Sequence, residues 1–347
     1  MREFHSQAIK DEAQVGAARR AVHRYASALG FTEDALAELD IVVQEIGTNA
    51  ARYATGGGCL HWTTAPGAAA GLELFYCDKG PGILDLERAF RDGVSSGGSL
   101  GTGFGAMRRL LDEFDAYSAV KGTTRRLSNP RRTTHGTALL GRKWAARGPA
   151  ADAAREGSRR LGVWSRPRPG DDANGDAYLV REHDGETLLA VIDGLGHGRG
   201  AREAARAALE ALGLWEGEPL EEVLHGVHGA LRATRGAVMG AVVLDRARGR
   251  FTYAGVGNVE VRVLGSPEPT RPIPSNGTLG ARLPPVRVWP HRWVEGMTIV
   301  MATDGLSATW DIVNYPGLLA RSPQLLAGVL LRDYGRNSDD ATVLVYR

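Results

Sequence analysis

Apolar residues recur every three to four positions at Val15, Ala18, Val22 and Leu29, a spacing that places them on one helix face, and Gly30 ends the run. A second stripe, Leu36, Leu39, Val43, Ile46 and Ala50, follows Thr32, a residue type suited to an N-cap. The pattern then shortens to strand-like runs at Leu60 to Thr64 and Leu72 to Cys77. A Gly/Ser-rich loop from Gly93 to Gly103 leads into a predicted helix from Phe104 to Phe114, with further strands at Ala116 to Lys121 and Thr137 to Arg142. This is an α/β layer with one long loop.

From Ala145 to Arg160 the chain is rich in Ala, Gly and Arg, carries Pro149 and has no pattern of large apolar residues, so it reads as a connector. Beyond it strands dominate: Leu161 to Ser165, Ala177 to Arg181, Thr187 to Ile192, Val238 to Leu244, Phe251 to Val256, Val259 to Leu264, Thr298 to Ala302 and Thr342 to Tyr346. Helical stretches fall at Ala201 to Leu212, Leu220 to Ala233 and Pro323 to Arg332. Many strands with few helices predict stacked sheets flanked by helices. A chain of 347 residues is long enough for two such domains, here 1–144 and 158–347 with a linker at 145–157.

Composition narrows the function classes. The 43% hydrophobic and 24% charged balance excludes a disordered or fibrous chain. The first ten residues have no apolar core of a signal peptide and no apolar run approaches the ~18 residues of a membrane span, so a cytoplasmic protein without membrane contact is expected. Cys59 and Cys77 lie in strand-like segments without partners at metal spacing and read as reduced thiols. A net charge of +2 gives no case for nucleic acid, and the basic cluster Lys121, Arg125, Arg126, Arg131 and Arg132 reads as a solvated loop or a docking point for an acidic partner.

In the first half, Glu45 and Asn49 stand four residues apart and project from one helix face, where a carboxylate and an amide can share a hydrated cation; a plain polar face is the alternative. Asp78-Lys79-Gly80-Pro81-Gly82 follows a strand and offers an acceptor for an exocyclic amine beside glycines that let a base approach. Gly101-Thr102-Gly103-Phe104-Gly105 opens a helix whose free N–H groups can hold phosphates. Taken in order, these motifs resemble the GHKL ATPase family, and within it the RsbT/SpoIIAB-type switch kinases, over most of residues 10 to 144. The resemblance implies an α/β sandwich that binds ATP with Mg²⁺. In it Asn49 contacts the ion, Asp78 reads adenine beside Gly80 and Gly82, Gly101, Gly103 and Gly105 form the ATP lid, and Thr137 contacts phosphate. Glu45 becomes the base for phosphoryl transfer to a serine or threonine. Phe104 departs from the usual Leu.

In the second half four carboxylates sit at predicted strand ends: Asp176 in Asn174-Gly175-Asp176, Asp193 in Asp193-Gly194-Leu195-Gly196-His197-Gly198, Asp304 before Gly305, and Asp339 in Asp339-Asp340-Ala341-Thr342. Each alone reads as a turn residue. Together they repel unless a cation neutralises them, and an all-oxygen set favours Mg²⁺ or Mn²⁺. Two such ions can clamp a phosphoryl group and acidify a water, which fits a phosphomonoesterase. The set and its order resemble the SpoIIE/RsbX branch of the PPM-type phosphatases across residues 158 to 347. The resemblance implies an α/β/β/α sandwich in which Asp193 bridges two metals and Asp176, Asp304 and Asp339 complete the site, with the Gly194 carbonyl as a further candidate. Asp171 and Asp172 compete with Asp176, and Asp340 with Asp339. His197 is either a proton donor or a turn-stabilising side chain, and Arg166 and Arg168 are candidates to hold the substrate phosphate.

The two resemblances together imply a phosphatase joined to an ATP-binding, anti-sigma-like domain, acting on a phosphorylated STAS-domain anti-sigma-antagonist protein. A bifunctional kinase and phosphatase, or a nucleotide-gated module that sequesters a sigma factor or another switch protein, are the alternatives.

Overall fold

The structure is a computed structural model, and it describes residues 2–67, 69–90, 103–120, 134–268, 270 and 272–347. Two compact units emerge: Arg2–Gly162 together with Asp311–Asp333, and Val163–Trp310 together with Tyr334–Arg347.

The first unit is built on a five-stranded sheet. In chain order it contains β1 (His5–Ile9), α1 (Glu12–Ala28), α2 (Glu33–Tyr53), β2 (Gly58–Thr64), β3 (Gly71–Asp78), α3 (Leu86–Ala89), α4 (Gly103–Leu110), β4 (Glu113–Ala119), β5 (Gly136–Trp144) and α5 (Pro149–Arg160). The strands run β1-β2-β3-β5-β4, every neighbouring pair antiparallel. Side-chain oxygens of Asp11 and Thr32 accept from the backbone N–H of Gln14 and Ala35, capping α1 and α2. The two apolar stripes seen in the sequence, with Val42, are buried against Leu60, Leu72 and Leu74. Burying these faces is what orders both helices on the sheet.

Two sequence expectations change here, and one strand is added. The expected helix from Phe104 to Phe114 ends at Leu110, because Asp112 is captured by β5: its N–H donates to the Arg142 carbonyl at 2.9 Å and its carboxylate accepts the Trp144 N–H at 2.9 Å. Phe114 therefore lies in β4. The expected connector is helix α5, which seats through small residues: Ala151, Ala154 and Ser158 are buried, packing with Ala65 and Trp144, while the Arg155 guanidinium lies 5.0 Å from the Trp144 ring. β1 shows little apolar alternation because it is an edge strand paired only with β2.

The second unit contains β6 (Leu161–Arg166), β7 (Asp176–His183), β8 (Glu186–Gly194), α6 (Arg199–Leu212), α7 (Leu220–Ala230), β9 (Ala237–Asp245), β10 (Arg250–Val256), β11 (Glu260–Leu264), β12 (Trp289–Arg292), β13 (Thr298–Ala302) and β14 (Ala341–Tyr346); the first two residues of β6 fall in the other unit. One sheet has the order β12-β10-β9-β8-β7, the other β11-β13-β14-β6. Ala204, Ala205, Ala208 and Leu212 of α6 and Leu220 and Leu224 of α7 bury one face of the first sheet through Ala177, Leu188, Ala190, Ile192 and Met239. A helix lined with alanines approaches the strands closely, which explains the small side chains on that face of α6. The strand β12, missed in the sequence, is a four-residue edge strand containing Pro290. A last helix, α8 (Pro323–Tyr334), contributes its residues up to Asp333 to the first unit. No helix among the described residues is long and apolar enough to cross a membrane.

Candidate functional site

Antiparallel pairing of β7 and β8 sets Asp176 directly opposite Asp193, the first residue of one strand against the next-to-last of the other. Asp304 follows β13 by two residues and Asp339 precedes β14 by two, so the four carboxylates gather at strand ends as their spacing suggested. Burial pushes the Asp193 carboxyl up to about 7, with the charges of Asp304, Asp339 and Asp340 adding to it. Asp176, almost fully buried, is raised well above the usual carboxylate range by burial and by Asp193, against which the Thr303 hydroxyl works. Like charges gathered in a half-buried site call for a cation.

As the side chains stand, no three His, Cys, Asp or Glu groups among the described residues are arranged to hold a metal ion. Two of the carboxylates are instead turned onto protein donors: the Thr303 hydroxyl donates to Asp176 Oδ2 at 2.7 Å and the Asn258 amide to Asp304 Oδ2 at 2.9 Å. The donor set still fits a hard divalent ion, being all oxygen, anionic and mutually repelling. Gly305 lets the Asp304 turn press against the backbone of Asp340; a Cβ there would collide with the Asp340 carbonyl. Gly194 ends β8, its N–H donating to the Gly175 carbonyl at 3.0 Å.

The close neighbours separate by what they already hold. Asp340 accepts the N–H of Arg168 at 2.7 Å through one oxygen and that of Gly175 at 2.9 Å through the other. Its carboxylate thus ties the β14 entry to the β7 entry, and Asp339 is left as the freer of the two. The Asp172 side chain is 82% exposed and outside the group. Asp171 lies 3.0 Å from His197 Nδ1 and 3.3 Å from Arg168 Nε. Arg166 and Arg168, the candidates to hold the substrate phosphate, are both turned onto protein acceptors. Arg166 donates to the carbonyls of Arg336 at 2.6 Å, Pro167 at 3.2 Å and Asp339 at 3.5 Å, and Arg168 is spent on Asp171. Burial lowers the Arg166 pKa, as expected of a guanidinium half withdrawn from water.

In the first unit Glu45 and Asn49 share a half-buried face of α2, and the Asn49 amide nitrogen is buried without a hydrogen-bond partner. A buried amide donor in that state is satisfied only by an acceptor such as water or a ligand. Asp78 closes β3, and its Oδ1 accepts the N–H of Gly80 at 2.7 Å and of Thr137 at 3.2 Å. Thr137 therefore stands beside Asp78, its hydroxyl 3.2 Å from that of Ser118. Gly82 follows in the same turn, while Gly103 and Gly105 open α4. Gly101 and the basic cluster at Lys121, Arg125, Arg126, Arg131 and Arg132 lie outside the described residues.

Sequence reasoning missed Thr303, Asn258 and the structural role of Asp340. Thr303 stands beside Asp304, and besides holding Asp176 its hydroxyl accepts the Thr342 N–H at 2.9 Å. Asn258, in the turn between β10 and β11, carries no local signal of its partner 46 positions away.

Comparison with known proteins finds relatives for both halves of the chain. The family described as histidine kinase-like ATPase domain matches residues 9–128. The serine/threonine-protein kinase RsbT of Bacillus subtilis (strain 168) is 34% identical over 116 residues, 33% of this chain and 87% of RsbT. The phosphoserine phosphatase RsbX of the same organism is 29% identical over 147 residues, 42% of this chain and 73% of RsbX. A solved chain described under "The bacterial stressosome: a modular system that has been adapted to control secondary messenger signaling" is 32% identical with a TM-score of 0.51, the match covering 54% of this chain and 98% of that one. The chain belongs, in its N-terminal part, to the histidine kinase-like ATPase family with RsbT, and its C-terminal part is similar to the phosphoserine phosphatase RsbX.

Proposed function

We propose that this protein is a metal-dependent protein serine/threonine phosphatase whose ATP-binding domain makes it one arm of a phosphorylation switch. Its substrate in this reading is a phosphoserine or phosphothreonine on a STAS-domain anti-sigma-antagonist protein, a partner suggested by the likeness to RsbT, RsbX and a stressosome chain. The observation that carries the catalytic reading is the placing of Asp176 directly opposite Asp193 on paired strands, with Asp304 and Asp339 at strand ends close enough for their charges to act on Asp193.

A pair of Mn²⁺ or Mg²⁺ ions would supply Lewis-acid charge and an activated water for phosphomonoester hydrolysis. Asp176, Asp193, Asp304 and Asp339 would hold it, with the Gly194 carbonyl beside them. Thr303 and Asn258 orient Asp176 and Asp304, and Arg166 and Asp340 fix the chain on either side of Asp339. With His197 Nδ1 beside Asp171, Nε2 is the nitrogen left to give a proton to the departing serine oxygen. In the ATPase domain Asn49 would hold Mg²⁺ through the nucleotide phosphates, Asp78 would accept the adenine amine, Gly80, Gly82, Gly101, Gly103 and Gly105 would shape the pocket and lid, and Glu45 would serve as base.

Incubating the full-length protein with a phosphorylated STAS-domain protein should release phosphate in Mn²⁺ and not in chelator. Release that is independent of metal would defeat the reading. Asn49→Ala is expected to weaken Mg-ATP binding at least about tenfold while leaving aryl phosphate turnover within about twofold, as measured by nucleotide titration beside a phosphatase assay. Radiolabelled ATP decides what the first domain adds: label on the STAS protein that disappears in Glu45→Ala makes the protein bifunctional. Partner capture that survives Glu45→Ala without transfer makes the domain a sequestering module.

A further inference from the structure

The unit that contains Asp78 also contains Asp311–Asp333, a segment that follows the phosphatase strand β13 in the sequence. Helix α8 is fixed to the five-stranded sheet at both ends. At its start, Asp115 of β4 accepts the Ser322 N–H at 2.7 Å and lies 3.5 Å from the Arg321 guanidinium. At its end, Arg332 Nη1 donates to the backbone carbonyl of Asp78 at 3.1 Å. The register between β3 and β5 stops at Cys77 opposite Ala138, so the Asp78 carbonyl lies beyond that ladder. Gly136, with φ +127°, packs so tightly against the same carbonyl that a Cβ would collide with it.

Arg332 is built for a fixed direction. Its side chain is 4% exposed and that of Asp333 1%. Nε and Nη2 each meet an Asp333 oxygen at 2.8 Å, and Asp333 Oδ2 also accepts the Tyr315 hydroxyl at 2.8 Å. Two arms of the fork are thereby held, and the third points at Asp78. A buried ion pair of this kind adds little net stability over apolar residues of the same volume, so its presence calls for an account in terms of position.

We propose that Arg332 is a positioning residue of the nucleotide pocket, supplied by the C-terminal part of the chain, and that it sets the adenine selectivity of Asp78. By fixing the carbonyl of Asp78 it fixes the backbone from which the carboxylate projects, and Gly80 and Thr137 then orient Oδ1. A carboxylate held in one place distinguishes a purine bearing an exocyclic amine from one bearing a carbonyl, because the latter leaves it facing an acceptor. This rests on the reading of Asp78 as the acceptor for adenine.

The test is a titration of the full-length protein with Mg-ATP and with Mg-inosine triphosphate, in which a carbonyl replaces the amine. Two variants are used, Arg332→Lys and the paired Arg332→Met with Asp333→Asn, which leaves no lone buried charge; thermal melting verifies that both fold. The expected result is that ATP affinity falls about tenfold in the paired variant and less in Arg332→Lys, with inosine triphosphate affinity held, so that the preference collapses. An unchanged ATP preference, or an equal loss for both nucleotides, overturns the proposal. Asp78→Asn is titrated in parallel. If it loses the preference while the Arg332 variants keep it, the adenine reading stands and the positioning role fails; if it keeps the preference, the adenine reading itself fails and the proposal with it.

Discussion

Asp193→Asn is expected to reduce phosphate release on the order of a thousandfold or more while making the metal-free protein harder to melt. The two effects have one cause. Asp193 sits opposite Asp176 on the neighbouring strand, and burial together with Asp304, Asp339 and Asp340 raises its carboxyl to about 7. Holding a carboxylate ionised there costs folding energy, which an amide of the same shape does not incur. Raising the carboxyl from its ordinary value to about 7 corresponds to no more than about 4 kcal/mol, and partial solvation leaves roughly 1–3 kcal/mol, or a melting temperature about 2–6 °C higher. The measurement is a thermal melt in chelator at pH 8 beside Mn²⁺-dependent turnover of an aryl phosphate. Wild-type turnover in the variant would remove Asp193 from the site. A lower melting temperature in chelator would remove the repulsion argument, because activity would then be lost through unfolding.

Asp193 also shows what can be read without coordinates. It ends an apolar strand and precedes Gly194-Leu195-Gly196-His197-Gly198, so strand and turn are both written locally, as they are for Asp304 before Gly305. The helices α1 and α2 were equally legible, since their stripes, Thr32 and the stop at Gly30 follow from helical period and capping alone. What could not be read depends on long-range partners. Asn258 finds Asp304, Asp340 finds Gly175, and Arg332 finds Asp78, across 46, 165 and 254 positions respectively. The misread connector has a different reason: α5 packs through Ala151, Ala154 and Ser158, and its buried face carries no large apolar residue to mark it. Helical period carries the predicted helix on to Phe114, and tertiary hydrogen bonds between Asp112 and the end of β5 override it. Local period and caps specify the elements; pairings distant in sequence decide where they stop and which of two adjacent carboxylates faces the site.

The largest stability effect is expected in the first unit, at the row Glu73, Arg142 and Glu113 across β3, β5 and β4. Arg142 is directly opposite both acids, its Nε 2.7 Å from Glu73 and its Nη1 2.9 Å from Glu113, with side chains of Arg142 and Glu73 only 2% and 0% exposed. Burial would raise the Glu73 carboxyl, but Arg2 and Arg142 outweigh it and hold the group below its usual value. Arg142→Met strands Glu73 with Arg2 alone and should cost about 3–5 kcal/mol, whereas Arg142→Met with Glu73→Leu should recover most of that loss. A double-mutant cycle in urea measures the coupling, and additive losses from the two single changes would refute it. Because the Glu73 pKa is lowered on folding, its stabilising contribution is present above the unfolded value near 4.3 and disappears as pH falls through the folded one. Wild type should therefore lose stability below about pH 4.3 more steeply than the double variant, which has no carboxyl to protonate there. The same two strands carry Asp78 and Thr137: β3 ends at Asp78 and β5 begins at Gly136 and Thr137, whose N–H donates to Asp78 Oδ1 at 3.2 Å.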